Sequence, residues 1–279
     1  METMDKLLLS VPAVVWLVGW GMLEANTLVK VRCRKPCVRC APDICKGLPL
    51  HSVQNASPMA EVRVPLFGQT QLAASTGLMT MAPRTQQAVF AHEMAHLVCR
   101  HARLVRWLAF VGMATATLAA GLILLFSDGQ WRCVMVLLWF GQWYFLFPLF
   151  FLLERQADAG AAALLSGTSP TVTTEAANAV ANAVIAIETV NSPLRAGQHT
   201  QKLPFGLLKK KLEKEAPIID QRHAIYHAQM AEKRAARIRA LIGQPCGDTA
   251  PDRAVRWIWR ISFVLLALDI AAVAWLALR

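Results

Sequence analysis

His92-Glu93-Met94-Ala95-His96 decides the reading of this chain; it lies in an alanine-rich stretch that follows Pro83 and precedes a long apolar run. On a helix at about 100° per residue, His92 and His96 project from one face a turn apart, so both imidazoles reach one tetrahedral metal. Glu93 stands beside them. A carboxylate there can take a proton from a metal-activated water, so the five residues hold two zinc ligands and a general base for amide hydrolysis.

Outward from the motif the chain is apolar. Hydrophobic residues make up 55% of its 279 residues and the mean hydropathy is +0.38, beyond the range of an ordinary soluble domain. Four runs supply the excess: 7–23, 107–126, 134–153 and 261–278. Each has about the 17 to 25 residues needed to cross a hydrocarbon core, and the middle two contain no charged residue. The first reads as an uncleaved anchor, because its leader has only Lys6 as a basic residue and its basic cluster follows the run.

Short basic loops stay on the cytoplasmic side of a membrane. Lys30, Arg32, Arg34, Lys35, Arg39 and Lys46 follow the first run, Arg100, Arg103 and Arg106 precede the second, and Arg253, Arg256 and Arg260 precede the fourth. These positions predict an external N-terminus, two internal polar stretches (24–106 and 154–256), an external hairpin at 127–132 and an external C-terminus. The net charge of +11 then reads as cytoplasmic loops facing anionic lipid. No nucleic-acid module accompanies the charge, so no nucleic-acid partner is expected.

Within the internal stretches, Glu61–Pro65 alternates like a short strand and Gln71–Thr76 is a second strand closed by Gly77. Pro83 suits the first turn of the motif helix, with Ala88, Ala91 and Ala95 as its close-packing face. Later helices are expected over Glu154–Leu165, Thr174–Val190 and Ile218–Ile242, the last stopped by Gly243 and Pro245.

A catalytic zinc takes three protein ligands and an open position, so one ligand is missing from the motif. His101, five residues after His96, falls about 140° off the ligand face of a continuing helix, and no glycine breaks the helix to bring it round. It reads as a polar residue at the membrane boundary. Glu154 is the better candidate: the chain crosses at 107–126, returns at 134–153 and re-emerges on the starting side at Glu154-Arg155-Gln156-Ala157-Asp158. Asp158, one turn on, faces the same way and is placed to accept a hydrogen bond from the second ring nitrogen of a ligating histidine.

These two motifs, joined by a two-span hairpin and preceded by Ser75-Thr76-Gly77-Leu78-Met79, give the chain a resemblance to the integral-membrane zinc metallopeptidases, the family of the HtpX-type proteases and CAAX prenyl endopeptidases. The resemblance covers roughly residues 50–165. It implies one catalytic zinc held by His92, His96 and Glu154, Glu93 as the base, and Asp158 orienting a histidine. The fold it implies is mainly α, a multi-span helical membrane protein with a zincin-like cytoplasmic domain carrying a small β element. By the same resemblance the chain is an endopeptidase of a bacterial inner membrane, acting on membrane or misfolded polypeptides in protein quality control, with the strand near Gln71–Thr76 receiving an extended substrate. The family's late His-Pro…Arg element is not matched cleanly, and His227, upstream of Arg234 and Arg237, stands in as a candidate oxyanion stabiliser.

Cys33, Cys37, Cys40 and Cys45 cluster after the first run, and Cys37-x-x-Cys40 has a knuckle-like spacing. They are a candidate structural metal site, with free thiols in a basic loop as the alternative. Two rival functions stay open: a β-lactam-sensor-like regulatory metallopeptidase, which normally adds an external sensor domain, and a non-catalytic zinc-binding scaffold.

Overall fold

The structure, a computed structural model, describes residues 45, 47–64, 70–108, 150–199 and 224–246, with 257, 260, 261, 263, 264, 267 and 271. The run 7–23, most of the other three apolar runs, Cys33, Cys37, Cys40 and Asp269 lie outside the described residues. Among the described residues no helix is long and apolar enough to cross a membrane.

The described chain is mainly helical with one three-stranded sheet: β1 (Leu50–Val53), β2 (Ala60–Arg63) and β3 (Gln71–Ser75), in the order β1-β3-β2. β1 runs parallel to β3 with Leu50 opposite Leu72, and β2 antiparallel to it with Val62 opposite Leu72. Leu72, Ala73, Ala74 and Ser75 are all buried, the continuous pattern of a strand with neighbours on both sides. β3 is therefore the central strand and cannot add a substrate strand, which corrects the expectation for Gln71–Thr76. β2 is an edge strand among the described residues.

Ser75 ends β3 and starts a one-turn helix, Thr76–Met79. Its buried hydroxyl accepts from the backbone N–H groups of Leu78, at 3.0 Å, and Met59, at 2.9 Å. Gly77 is not the closing turn expected of it. It lies inside this helix so close to the 55–58 loop that a Cβ would stand 2.0 Å from the Ala56 carbonyl oxygen.

The motif helix spans Pro83–Val98, with proline in its first turn and Ala88, Val89, Phe90, Ala91, Met94 and Ala95 buried. Full burial of a side chain such as Phe90 or Leu72 contributes about 2 kcal/mol. This helix packs on β2 and on the helix Thr174–His199, which outruns its expected end at Val190. Helix 150–165 ends near Gly167, in the left-handed region at φ 63°. Helix 224–239 is followed by Gly243 at φ 77°, which turns the chain so that its N–H meets the Val172 carbonyl at 2.9 Å. Leu50, Leu72 and Phe90 share one apolar core with Ala161, Val180 and Ile238, so both polar stretches contribute to it.

The motif helix stops at Cys99, and the next residue, Arg100, has φ 61°. A left-handed residue after the last turn is a common helix stop, usually supplied by glycine. Here arginine makes the turn, and a new helical stretch starts at His101.

Candidate metal centre

Helical spacing puts His92 and His96 side by side, their Nε2 atoms 3.1 Å apart. Helix 150–165 lies against the motif helix because Gly160 faces Ala95; a Cβ at 160 would stand 2.8 Å from the Ala95 Cβ. That approach delivers Glu154, whose Oε2 is 3.3 Å from His92 Nε2 and whose Oε1 is 3.4 Å from His96 Nε2. One ligand atom from each of the three residues falls within a common 4.8 Å. Tetrahedral zinc with bonds near 2.1 Å needs donors separated by about 3.4 Å, so this donor set fits the metal.

Two sets of partners hold the histidines by their other nitrogens. His92 Nδ1 meets Asp158 Oδ1 at 3.0 Å. Asp158 is gripped in turn by Arg234, Nε to Oδ2 and Nη2 to Oδ1, both at 2.7 Å, and Nη2 also reaches Glu154 Oε2 at 3.1 Å. His96 Nδ1 lies 3.0 Å from His101 Nδ1, and His101 Nε2 lies 2.7 Å from Gln156 Oε1. His101 is only 1% exposed, which corrects its placement as a boundary residue. The turn at Arg100 brings it back to the motif without a glycine.

The charges follow from these contacts. Burial works against charge on His92, but its hydrogen bonds to Asp158 and Glu154 prevail and push its pKa up to about 9. Burial likewise disfavours ionised Glu154 and Asp158, yet hydrogen bonds to the histidine and the charge of Arg234 hold both carboxyls below the usual range. Burial pushes Glu93 the other way, up. Its Oε2 accepts the Val62 N–H at 3.2 Å, so an edge-strand amide fixes this carboxylate beside the three-residue cluster. A cleft of about 440 Å³ opens there, lined by Val62, Glu93, His96, Val105, Phe150 and Leu153 among others.

His227 and Cys45 are not part of this donor set. His227 lies on helix 224–239 with Nδ1 3.8 Å from Glu188 Oε1, and it does not line the cleft. Cys45, the one member of the 33–45 cysteine group among the described residues, is fully buried in the apolar core, where burial pushes its thiol up to about 11. Arg234 enters the sequence reading only as an arginine downstream of His227, with no contact to the metal motifs expected of it. It sits 80 residues from Glu154 in a helix with several other basic residues, and no local pattern distinguishes it.

No curated relative and no solved structure matches the chain. The pattern of peptidase family M48 matches residues 67–240, more than half of the chain, and takes in both candidate metal-ligand motifs and Arg234. With the donor cluster already assembled by the fold, the chain belongs to peptidase family M48, the metallopeptidase family that contains the HtpX-type and CAAX prenyl proteases.

Proposed function

We propose that the chain is a membrane-embedded zinc endopeptidase that hydrolyses membrane or misfolded polypeptides at the cytoplasmic face. The observation that carries this reading is the convergence of His92, His96 and Glu154, with Glu93 kept beside them by the Val62 amide. The three residues hold the zinc, which when bound supplies Lewis acidity at the scissile carbonyl and acidifies water. Glu93 takes the proton from the attacking water and delivers it to the amine nitrogen as the carbon–nitrogen bond breaks. Asp158 and Arg234 keep His92 and Glu154 in place.

Substrate docks along β2. The Met59 carbonyl accepts from the Ser75 N–H at 2.9 Å, so in this antiparallel register Glu61 and Arg63 also turn their backbone groups to β3 and Ala60, Val62 and Val64 turn theirs to the outer edge. Val62 N–H meets Glu93 there, and Val64 carbonyl oxygen accepts from Arg106. An extended peptide added on that side enters the cleft containing Glu93 and His96.

The membrane part rests on the four apolar runs and on exposed apolar surface at their inner ends. Phe150, Phe151 and Leu152 are exposed immediately before Glu154, as are Trp257, Ile261, Phe263 and Val264 at the start of the last run. Clusters of this kind mark contact with lipid or protein. The Trp107 ring lies 5.0 Å from that of Phe263, which brings the ends of two runs together. Single-cysteine labelling in intact cells tests the placement: positions in 127–132 and residue 279 should label from outside, and positions in 46–100 and 160–246 only after permeabilisation. External labelling of the motif segment would overturn it.

A further inference from the structure

His101 and Gln156 have no part in the mechanism above, yet they form a closed chain with His96. Both are buried, at 1% and 6% exposed. The rings of His96 and His101 meet edge to face with centroids 5.0 Å apart, the two Nδ1 atoms are 3.0 Å apart, and Gln156 Oε1 closes the chain at 2.7 Å from His101 Nε2. Each hydrogen bond needs one donor and one acceptor, so with Gln156 Oε1 facing a neutral His101 every proton is placed. The amide oxygen only accepts, so His101 Nε2 carries a hydrogen. A neutral His101 then offers a lone pair at Nδ1, so His96 Nδ1 carries the hydrogen between the rings. His96 Nε2 is left bare, and it is the atom that faces His92 and Glu154. With the amide reversed, every proton would shift and His96 would present N–H to the cluster, which cannot ligate.

We propose that Gln156 and His101 are positioning residues that lock His96 in its Nδ1–H tautomer and aim the Nε2 lone pair at the metal. They do for His96 what Asp158 does for His92, with a neutral acceptor in place of a carboxylate. The helix that delivers Glu154 also delivers Gln156, and the left-handed turn at Arg100 delivers His101. The proposal rests on the metal reading of the cluster.

The test has two readouts on purified full-length protein. Histidine ring nitrogen spectra of the metal-free wild type at pH 8 should show His96 as the Nδ1–H tautomer, and Gln156→Met should move it towards Nε2–H. Zinc affinity, by competition with a chromophoric chelator, should fall about 10- to 100-fold in Gln156→Met and in His101→Phe. A merely structural role would change unfolding temperature without changing the tautomer. Nε2–H at His96 in the wild type, or wild-type zinc affinity in Gln156→Met, would overturn the proposal. Should Gln156→Met and His101→Phe fail to fold, the wild-type spectrum decides. Should the wild type bind no zinc, the metal reading fails, and the spectrum still decides the relay.

Discussion

Arg234 clasps Asp158 through two hydrogen bonds of 2.7 Å while Asp158 holds the imidazole of His92, so a guanidinium from a helix late in the chain braces the early motif. Arg234→Ala leaves the buried Asp158 carboxylate with His92 but without its guanidinium, a loss on the order of 2–3 kcal/mol. Metal affinity should fall about 10- to 100-fold. Arg234→Lys keeps the charge but not the planar fork, and should recover only part of both. Thermal unfolding and zinc competition on the same preparations check this.

Gly160 sets the separation of the two helices that carry the candidate metal ligands. Gly160→Val must push helix 150–165 away from Ala95, where even a Cβ would be 2.8 Å from the Ala95 Cβ. Overpacking of this kind costs about 1–3 kcal/mol, and the shift carries Glu154 away from the histidines. Zinc affinity should therefore drop more than in a Glu175→Ala control, whose exposed partner Arg84 is remote from the cluster.

Arg100 holds a left-handed conformation at φ 61°. Arg100→Gly should be neutral or stabilising by up to about 1 kcal/mol, because glycine pays no steric penalty there. Arg100→Val should destabilise the turn and weaken metal binding, since the turn places His101. Equal stability of the glycine and valine variants would contradict this role.

The order of these contacts explains what the sequence disclosed. His92, Glu93 and His96 are legible because helical spacing alone brings them together, and Glu154 and Asp158 because two apolar runs of membrane-crossing length imply a return to the starting side and four residues restore the face. His101 falls off the ligand face only if the helix continues through Arg100, and nothing in an arginine announces a positive φ. β1 went unread because Leu50-His51-Ser52-Val53 lacks a clean alternation. The exchange of centre and edge between β3 and β2 depends on strand pairing, which no local pattern encodes. Arg234 acts on residues about 80 positions away, beyond the reach of any spacing rule.

Zinc binding should be strongly pH-dependent. The proton on His92 must leave before the nitrogen can ligate, and its pKa is raised from 6.5 to about 9 in the metal-free fold. Affinity should keep climbing with pH until about 9 instead of levelling near 6.5. The linked stability runs the opposite way: in metal-free protein the stabilising contribution of protonated His92 is complete below 6.5 and disappears as pH rises through about 9. Chelator competition and thermal unfolding across pH 6 to 10 check both directions.

The most direct measurement is zinc content and proteolysis of an unfolded polypeptide on the same preparations of wild type, the His92→Ala, His96→Ala double variant and Glu93→Gln. Wild type should hold about one zinc per chain at this site, and the double variant should lose both metal and activity. Glu93→Gln should keep the zinc while proteolysis falls about a hundredfold or more, the loss of a general base with the metal site intact. Unchanged zinc in the double variant, or equal proteolysis by wild type and Glu93→Gln, would contradict the assignment of the metal and the base to these residues.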